Sequence, residues 1–106
     1  MNYLKKYQLR KELLNNLTND CKINWFKVRA NESIEHAILK LRKAHELVKL
    51  GHDVVIEAKF RSGGKADILD INDMVIYECL SSEKLADAKK KVKKYPDYLE
   101  IRFISS

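Results

Sequence analysis

Proline, glycine and cysteine are all scarce in this chain, which has one proline, three glycines and two cysteines among its 106 residues. It has no repeats and no low-complexity linker. Cys21 and Cys79 match no zinc or redox spacing and are too few for a disulfide framework, so we expect a reducing, cytoplasmic setting. The first residues lack an apolar signal region, and no apolar run approaches membrane-spanning length, so we expect no membrane association.

Positive charge, by contrast, is abundant. The formal net charge is +6 and the isoelectric point is about 9.3. Residues 84–94 hold six lysines and one aspartate, so five of the six net charges lie in that segment. This favours an anionic partner such as nucleic acid. Abundant lysine could equally reflect adaptation to high temperature.

The length predicts one domain, with residues 1–30 forming a helix and an extended connection and residues 31–106 forming the core. Hydrophobic patterns predict helices and strands in the following order: helix 2–17, a strand or extended segment 22–29, helix 33–50, strands 53–60, 66–71 and 74–80, helix 83–94 and strand 98–104. Because a helix joins the third strand to the fourth, these two should run parallel. The predicted four-stranded sheet is therefore mixed.

Each predicted helix carries an apolar stripe that should face the core. The stripes are Leu4, Tyr7, Leu14 and Leu17 in the first helix, Ile34, Ile38, Leu41, Ala44 or His45, and Val48 in the second, and Leu85, Ala88, Val92 and Tyr95 in the third. The histidines have no spacing that converges on a metal, so we expect structural or surface roles for His36, His45 and His52.

Trp25 and Phe26 allow two interpretations. Lys22, Lys27 and Arg29 flank them, as in a site where bases stack on aromatic rings and cations contact phosphates. One of the two rings could instead dock the first helix onto the core, and this commoner arrangement is the one we expect.

Residues 66–80 read as a β-hairpin turning at Asn72-Asp73, because both residue types tolerate the left-handed backbone of a two-residue turn. If Ile71 faces Met74 across the turn, Asp67 lies directly opposite Glu78.

Facing carboxylates repel each other, and both hairpin strands are apolar on both faces, as in the middle of an α/β layer structure. A divalent cation between Asp67 and Glu78 would remove the repulsion. The alternative is that both acids are simply solvated on an exposed strand.

The element order, with Asp67 and Glu78 on consecutive strands, resembles the PD-(D/E)XK nuclease superfamily. The resemblance covers roughly residues 31–104 and includes Glu35 in the preceding helix and a glycine-rich turn before Lys65. Within the superfamily, the chain is similar to small archaeal-type nuclease-like proteins with an Ala-Asp segment and a following Tyr-Glu strand. The implied fold is α/β and restriction-endonuclease-like, with an α-β-β-β-α-β core, a mixed four-stranded sheet and an extra N-terminal helix.

The resemblance also implies a site and a partner. Mg²⁺, or Mn²⁺ as a substitute, would be held by Asp67, Glu78 and the backbone carbonyl of Cys79, with Glu35 as a possible outer ligand. The metal would polarise the scissile phosphate of duplex or branched DNA. Related nucleases often pair to reach two strands, so a homodimer is expected.

The chain departs from the family motif at one position. The family lysine stands two residues after the second acid, where this chain has Leu80. The hairpin register sets Lys65 across from Leu80, which makes Lys65 a migrated catalytic lysine by hypothesis. The alternative is a surface lysine that binds DNA phosphate.

Lys59 and Lys84 are weaker candidates for the same role. A four-residue turn after Phe60 would make Ala58 the residue facing Asp67 and send Lys59 to the other face. Lys84 lies at the start of the following helix.

The lysines of the third helix form either an ordinary solvated face or a surface that follows DNA phosphates: Lys84, Lys89, Lys90, Lys93 and Lys94. Taken together, the sequence predicts a Mg²⁺-dependent DNA endonuclease. The alternative, favoured by the missing family lysine, is a catalytically inactive module that binds nucleic acid or a partner protein.

Overall fold

The computed structural model describes residues 3–80, 85–92 and 94–105. Its elements are α1 (Tyr3–Asn16), α2 (Ile34–Lys49), β1 (Val54–Lys59), β2 (Lys65–Asp70), β3 (Val75–Leu80), α3 (Leu85–Val92) and β4 (Glu100–Ser105). The strands form one sheet in the order β1-β2-β3-β4, antiparallel except for the parallel β3–β4 pair. The predicted α/β class and mixed four-stranded sheet are confirmed. None of the helices in the described residues has the length and apolar character needed to cross a membrane.

The sheet is covered on both faces, which explains why most residues of β1, β2 and β3 are buried, whereas the edge strand β4 alternates exposed and partly buried residues. One face packs against the end of α1 and the residues that follow α3, with Leu13, Leu69 and Tyr95 in one cluster. The other face packs against α2, with Leu47 and Tyr77 in a second cluster.

The predicted inward face of α1 is wrong at three of its four positions. Leu4, Tyr7 and Leu14 are exposed, whereas Leu13 is fully buried and Leu17, just beyond the helix, is also in the core. The second half of α1 packs on the core cluster through Leu9 and Leu13, and just beyond the helix Leu17 forms an isolated bridge with Phe60.

The predicted stripe of α2 faces solvent instead of the core, and Ala44 is its one buried position. Ile34, Ile38, Leu41 and Val48 are all at least 40% exposed. The buried face is formed by His36, Leu39, Lys40, Ala44 and Leu47. Leu39, Ala44 and Leu47 belong to the second core cluster, and the buried Lys40 beside them is paired with carboxylates, which hydrophobic periodicity cannot detect. In α3, Ala88 is buried but Leu85 is 46% exposed.

The predicted hairpin register is confirmed from Ile68–Tyr77 to Asp70–Val75, but the ladder ends before the predicted pairs of Asp67 with Glu78 and of Lys65 with Leu80. The turn is also not the predicted one. The connection has four residues, 71–74, and its left-handed position is Met74 at φ 56° instead of Asn72 or Asp73. The turn is closed by the Asp70 carboxylate, which accepts hydrogen bonds from the backbone N–H groups at positions 72 and 73.

The predicted pairing of Ala58 with Asp67 is wrong. Ala58 pairs with Ala66 and Lys59 with Lys65, because the connection runs over residues 60–64 and is one residue longer than expected. Beside these pairs, Glu57 adopts a left-handed backbone with φ 55°.

Candidate functional site

The candidate site begins where β2 and β3 separate. Their paired residues end at Ile68 and Tyr77, and beyond this point the Asp67 carboxylate accepts the Cys79 N–H at 2.8 Å. A side chain thus replaces a backbone acceptor, and a cleft of about 720 Å³ opens beside it. The cleft is bordered by the segment before α2, the start of α2, both hairpin strands and the end of α3.

Asp67 and Glu78 meet at the back of this cleft. Glu78 is 4% exposed, and burial together with the Asp67 charge raises the pKa of its carboxyl to about 8, while a side-chain hydrogen bond joins the two acids. Near neutral pH the pair must share a proton or receive a cation. The two acids predicted to face each other therefore do meet, although they lie just beyond the last paired residues of the two strands.

Tyr95 supports Glu78 from the other side. Its hydroxyl lies within hydrogen-bonding distance of a Glu78 oxygen and 2.8 Å from the Lys65 carbonyl. Gly64 is required for this approach, since a side chain there would meet the Tyr95 ring at 3.1 Å, and its φ of 89° is also one that other residues rarely adopt. Gly64 thus leaves room for the Tyr95 ring beside Glu78.

The acidic residue that reaches the cleft from the α2 region is Glu32, and the expected Glu35 does not. Glu35 is exposed and does not line the cleft. The Glu32 side chain is fully buried, and burial alone would raise its pKa. Hydrogen bonds from Lys40 and His36 nevertheless bring the pKa of Glu32 down to about 2.

His36 joins Glu32 to Asp67, a role that the sequence analysis missed. Its Nδ1 contacts Glu32, and its Nε2 lies 3.4 Å from Oδ2 of Asp67. Glu32, His36 and Lys40 are spaced four residues apart, and this spacing is the signal that could have identified them as one helical row.

A further buried carboxylate, Glu57, lies next to the cleft residues Arg29 and Lys65. Arg29 Nε lies 2.9 Å from its Oε1, Lys40 Nζ 3.6 Å away and Lys65 Nζ 3.9 Å away. The same oxygen has no partner in hydrogen-bonding geometry among the described residues. Its environment is therefore strongly positive, and Glu57 was not predicted as a site residue.

The structure separates the candidate lysines. Lys65 lines the cleft with its side chain 37% exposed, whereas Lys59 pairs with Asp20 at 3.3 Å outside it. Leu80, at the family lysine position, is half-buried and pairs with Ser105 of β4.

The lysines of the α3 region are divided in the same way. Lys90 and Lys94 line the cleft, and Lys91, which was not predicted, lines it too. Lys89 is exposed outside the cleft. Lys84 and Lys93 lie outside the described residues.

The ligand atoms available where β2 and β3 separate fit a small hard cation. Mg²⁺ is commonly held by one or two carboxylates with water and phosphate oxygens, and Asp67 and Glu78 supply two carboxylates whose repulsion a bound cation would relieve in place of the shared proton. The Cys79 N–H points to Asp67, so the carbonyl of the same extended residue faces the same side. Burial and the two acids raise the pKa of the Cys79 thiol to about 12, which keeps the sulfur protonated.

A second cluster lies at the opposite end of the hairpin. Within the described residues, His52, Asp70 and Asp73 place three possible ligand atoms within 4.8 Å of one another. The sequence spacing of the histidines did not reveal that His52 joins such a group. Asp70 nevertheless has protein partners at both oxygens, His52 Nδ1 at 2.8 Å and the turn N–H groups, so the cluster closes the turn.

Neither aromatic side chain of the 22–29 segment docks α1 onto the core. Trp25 is 60% exposed and Phe26 is 41% exposed. The expectation of a docking role is therefore wrong, because α1 is anchored by Leu13 and Leu17 instead.

Comparisons of this chain with protein-family models, with curated proteins and with solved structures find no match.

Proposed function

We propose that this chain is a Mg²⁺-dependent DNA endonuclease of the PD-(D/E)XK type, with the restriction-endonuclease-like fold. The observation that carries the proposal is the meeting of Asp67 and Glu78 in a cleft lined by cationic side chains. The α-β-β-β-α-β order of the elements from α2 to β4 is compatible with that fold.

In this proposal Asp67, Glu78 and the Cys79 carbonyl hold the metal, which supplies Lewis-acid polarisation of the scissile phosphate. The side chains of Lys90, Lys91 and Lys94 hold the DNA backbone beside it. Lys65 is the residue we propose to position the attacking water, since it is the cleft lysine on the strand of Asp67.

The proposal is tested by titrating Mg²⁺ or Mn²⁺ against plasmid, linear and four-way-junction DNA. We expect metal-dependent cleavage that is lost in Asp67→Asn and Glu78→Gln, both of which keep the side-chain shape. Glu46→Gln is the matched control, because it removes an exposed carboxylate of α2 outside the cleft. Cleavage that survives both site substitutions would reject the assignment.

A catalytically inactive module that binds nucleic acid or a partner protein is the second candidate, and Leu80 at the family lysine position favours it. This alternative predicts DNA retention at low salt with no product under either metal. It also predicts that Asp67→Asn binds DNA at least as tightly as the parent, because a negative charge has been removed.

We propose a second copy of the chain as the partner of the α2 stripe, formed by Ile34, Ile38, Leu41 and Val48. These exposed residues are separated by four, three and seven positions, which matches the alternating steps of four and three that helix pairs use when His45 fills the remaining position. Glu35 lies in the first turn of α2 and Lys49 in the last. An antiparallel pair would set each Glu35 near the other copy's Lys49, whereas a parallel pair would set like charges together.

A further inference from the structure

The segment from Ile23 to Arg29 has no regular secondary structure apart from one bridge, yet it is fixed at its start. Ile23 forms an isolated bridge with Val55 of the edge strand β1. Asn24 donates its N–H to the Val54 carbonyl at 2.7 Å, and its side-chain oxygen accepts the Val54 N–H at 2.9 Å. Together these contacts hold the chain against β1.

The same segment is also fixed three residues later. The Lys27 carbonyl accepts a hydrogen bond at 2.9 Å from Lys40, whose side chain is fully buried between carboxylates. Trp25 and Phe26 therefore lie between two anchors, and their backbone is ordered before any ligand arrives. Preordering reduces the entropy that binding must overcome.

Between these anchors the chain exposes apolar surface. Trp25, Phe26 and Val28 are 60%, 41% and 61% exposed. The Lys22 ammonium lies 4.3 Å from the centre of the Trp25 ring, and the Lys40 ammonium lies 5.8 Å from the centre of the Phe26 ring. Lys40 is fully buried between carboxylates, so the cation that an incoming ligand can meet is the exposed Lys22 beside Trp25. An exposed ring with an accessible cation suits a ligand that is both flat and anionic.

The exposed rings are connected to the cleft. The Lys40 ammonium that lies beside Phe26 is 2.8 Å from Glu32, which lines the cleft. Arg29, at the end of the segment, lines the cleft as well. A strand whose phosphates enter the cleft would therefore pass beside these rings.

We propose that Trp25 and Phe26 form a stacking platform for unpaired bases of single-stranded nucleic acid beside the cleft. The role of this platform in substrate choice rests on the proposed nuclease function. It assigns to that function a substrate with unpaired bases near the cleavage point. Stacking requires only the flat face of a base, so the platform binds without sequence preference.

Trp25 is the chain's only tryptophan, so its fluorescence reports directly on stacking. The parent protein is titrated in EDTA with oligo(dT), oligo(U) and a blunt duplex of equal charge. We expect saturable quenching by the single strands and little by the duplex. Comparison of oligo(dT) with oligo(U) separates DNA from RNA as the source of the bases.

Substitution separates the platform from general electrostatics. Trp25→Leu and Phe26→Leu should each weaken single-strand affinity about tenfold. Because Trp25→Leu removes the fluorophore, affinity is measured by the anisotropy of a labelled oligonucleotide. Neither substitution should change duplex affinity. Tyr7→Leu is the matched control, since Tyr7 is a 61% exposed aromatic on α1. Both platform residues are exposed, so the variants should keep the parent's melting temperature.

The outcomes separate this inference from the nuclease proposal because the titration contains no divalent metal. Quenching without cleavage in the metal assay leaves the platform standing and rejects the nuclease. Cleavage in the metal assay without quenching would support the nuclease and reject the platform. Equal quenching by duplex and single strand, or equal losses of both affinities on substitution, would overturn the assignment to unpaired bases. If neither substitution changes the single-strand or the duplex affinity, as expected for a surface that binds a protein, the assignment to unpaired bases would also be overturned.

Discussion

The imidazole of His36 bridges two carboxylates from separate parts of the chain, with Nδ1 on Glu32 and Nε2 3.4 Å from Asp67 Oδ2. Asp67 in turn accepts the Cys79 N–H and shares a hydrogen bond with Glu78. Helix α2 therefore orients one of the two proposed metal ligands. Such outer contacts fix the orientation of a ligand and tune its affinity for metal.

Replacing His36 with Ala should lower Mn²⁺ affinity about 10- to 100-fold, because Asp67 would lose the group that orients it. Isothermal titration calorimetry measures this without DNA. His36→Asn keeps one polar contact and should lose less. His45→Ala is the control, since His45 is exposed on the same helix. Unchanged Mn²⁺ affinity in the alanine variant would show that His36 does not position Asp67.

The sequence predicts the parts of this site that depend on strand register and misses those that depend on buried charge. Asp67 and Glu78 were identified because hairpin pairing is periodic and the apolar runs define it. Glu32 and Glu57 were missed because their neutralising partners come from other elements, such as the fully buried Lys40. A lysine reads as a surface residue in any hydrophobic pattern, so the stripe of α2 was assigned to the wrong face.

The raised pKa of Glu78, about 8, predicts how stability depends on pH. Between the ordinary carboxyl value of 4.5 and about 8, the folded chain binds the proton more strongly than the unfolded chain. The free energy of unfolding should therefore fall as the pH rises through this window. Glu78→Gln removes this titration, so in EDTA its stability relative to the parent should increase from pH 5 to pH 9 in urea unfolding.

His52 supplies the control for that measurement. The hydrogen bond to Asp70 raises the pKa of His52 above 6.5, so its stabilisation is complete below that value and is lost as the pH rises through the raised pKa. His52→Gln should remove only the part of the pH dependence of stability that comes from His52. If Glu78→Gln and the parent show parallel pH profiles, Glu78 titrates normally and the proposed crowding of the two acids is wrong.

Lys65 distinguishes catalysis from phosphate binding. If it positions water, Lys65→Ala should lower kcat by at least tenfold and leave KM nearly unchanged, because the interaction is made only in the transition state. If it binds phosphate, KM should rise and Lys65→Arg should restore it. Lys59→Ala serves as the control, since Lys59 pairs with Asp20 outside the cleft. Unchanged kinetics in Lys65→Ala would remove Lys65 from the site altogether.

The cleft lysines predict the salt dependence of DNA binding. Each phosphate contact adds about 0.9 to the slope of log affinity against log salt concentration for a duplex. Lys90→Ala and Lys94→Ala should each reduce that slope by nearly one, measured by fluorescence anisotropy between 50 and 200 mM salt. Lys89→Ala should not, because Lys89 lies outside the cleft. Equal effects of all three substitutions would indicate a diffuse positive field instead of a defined track.

The exposed stripe of α2 predicts a dimer that one substitution disrupts and a charge-reversal pair restores. Leu41→Glu should give a monomer by light scattering, because a charge would be buried in the middle of the stripe. Glu35→Lys should weaken the antiparallel pair by setting two lysines together at each end, and Glu35→Lys with Lys49→Glu should restore it. Restoration in the double variant is specific to the antiparallel arrangement. A parent protein that stays monomeric at high concentration would reject the interface, and a double variant no tighter than either single one would reject its orientation.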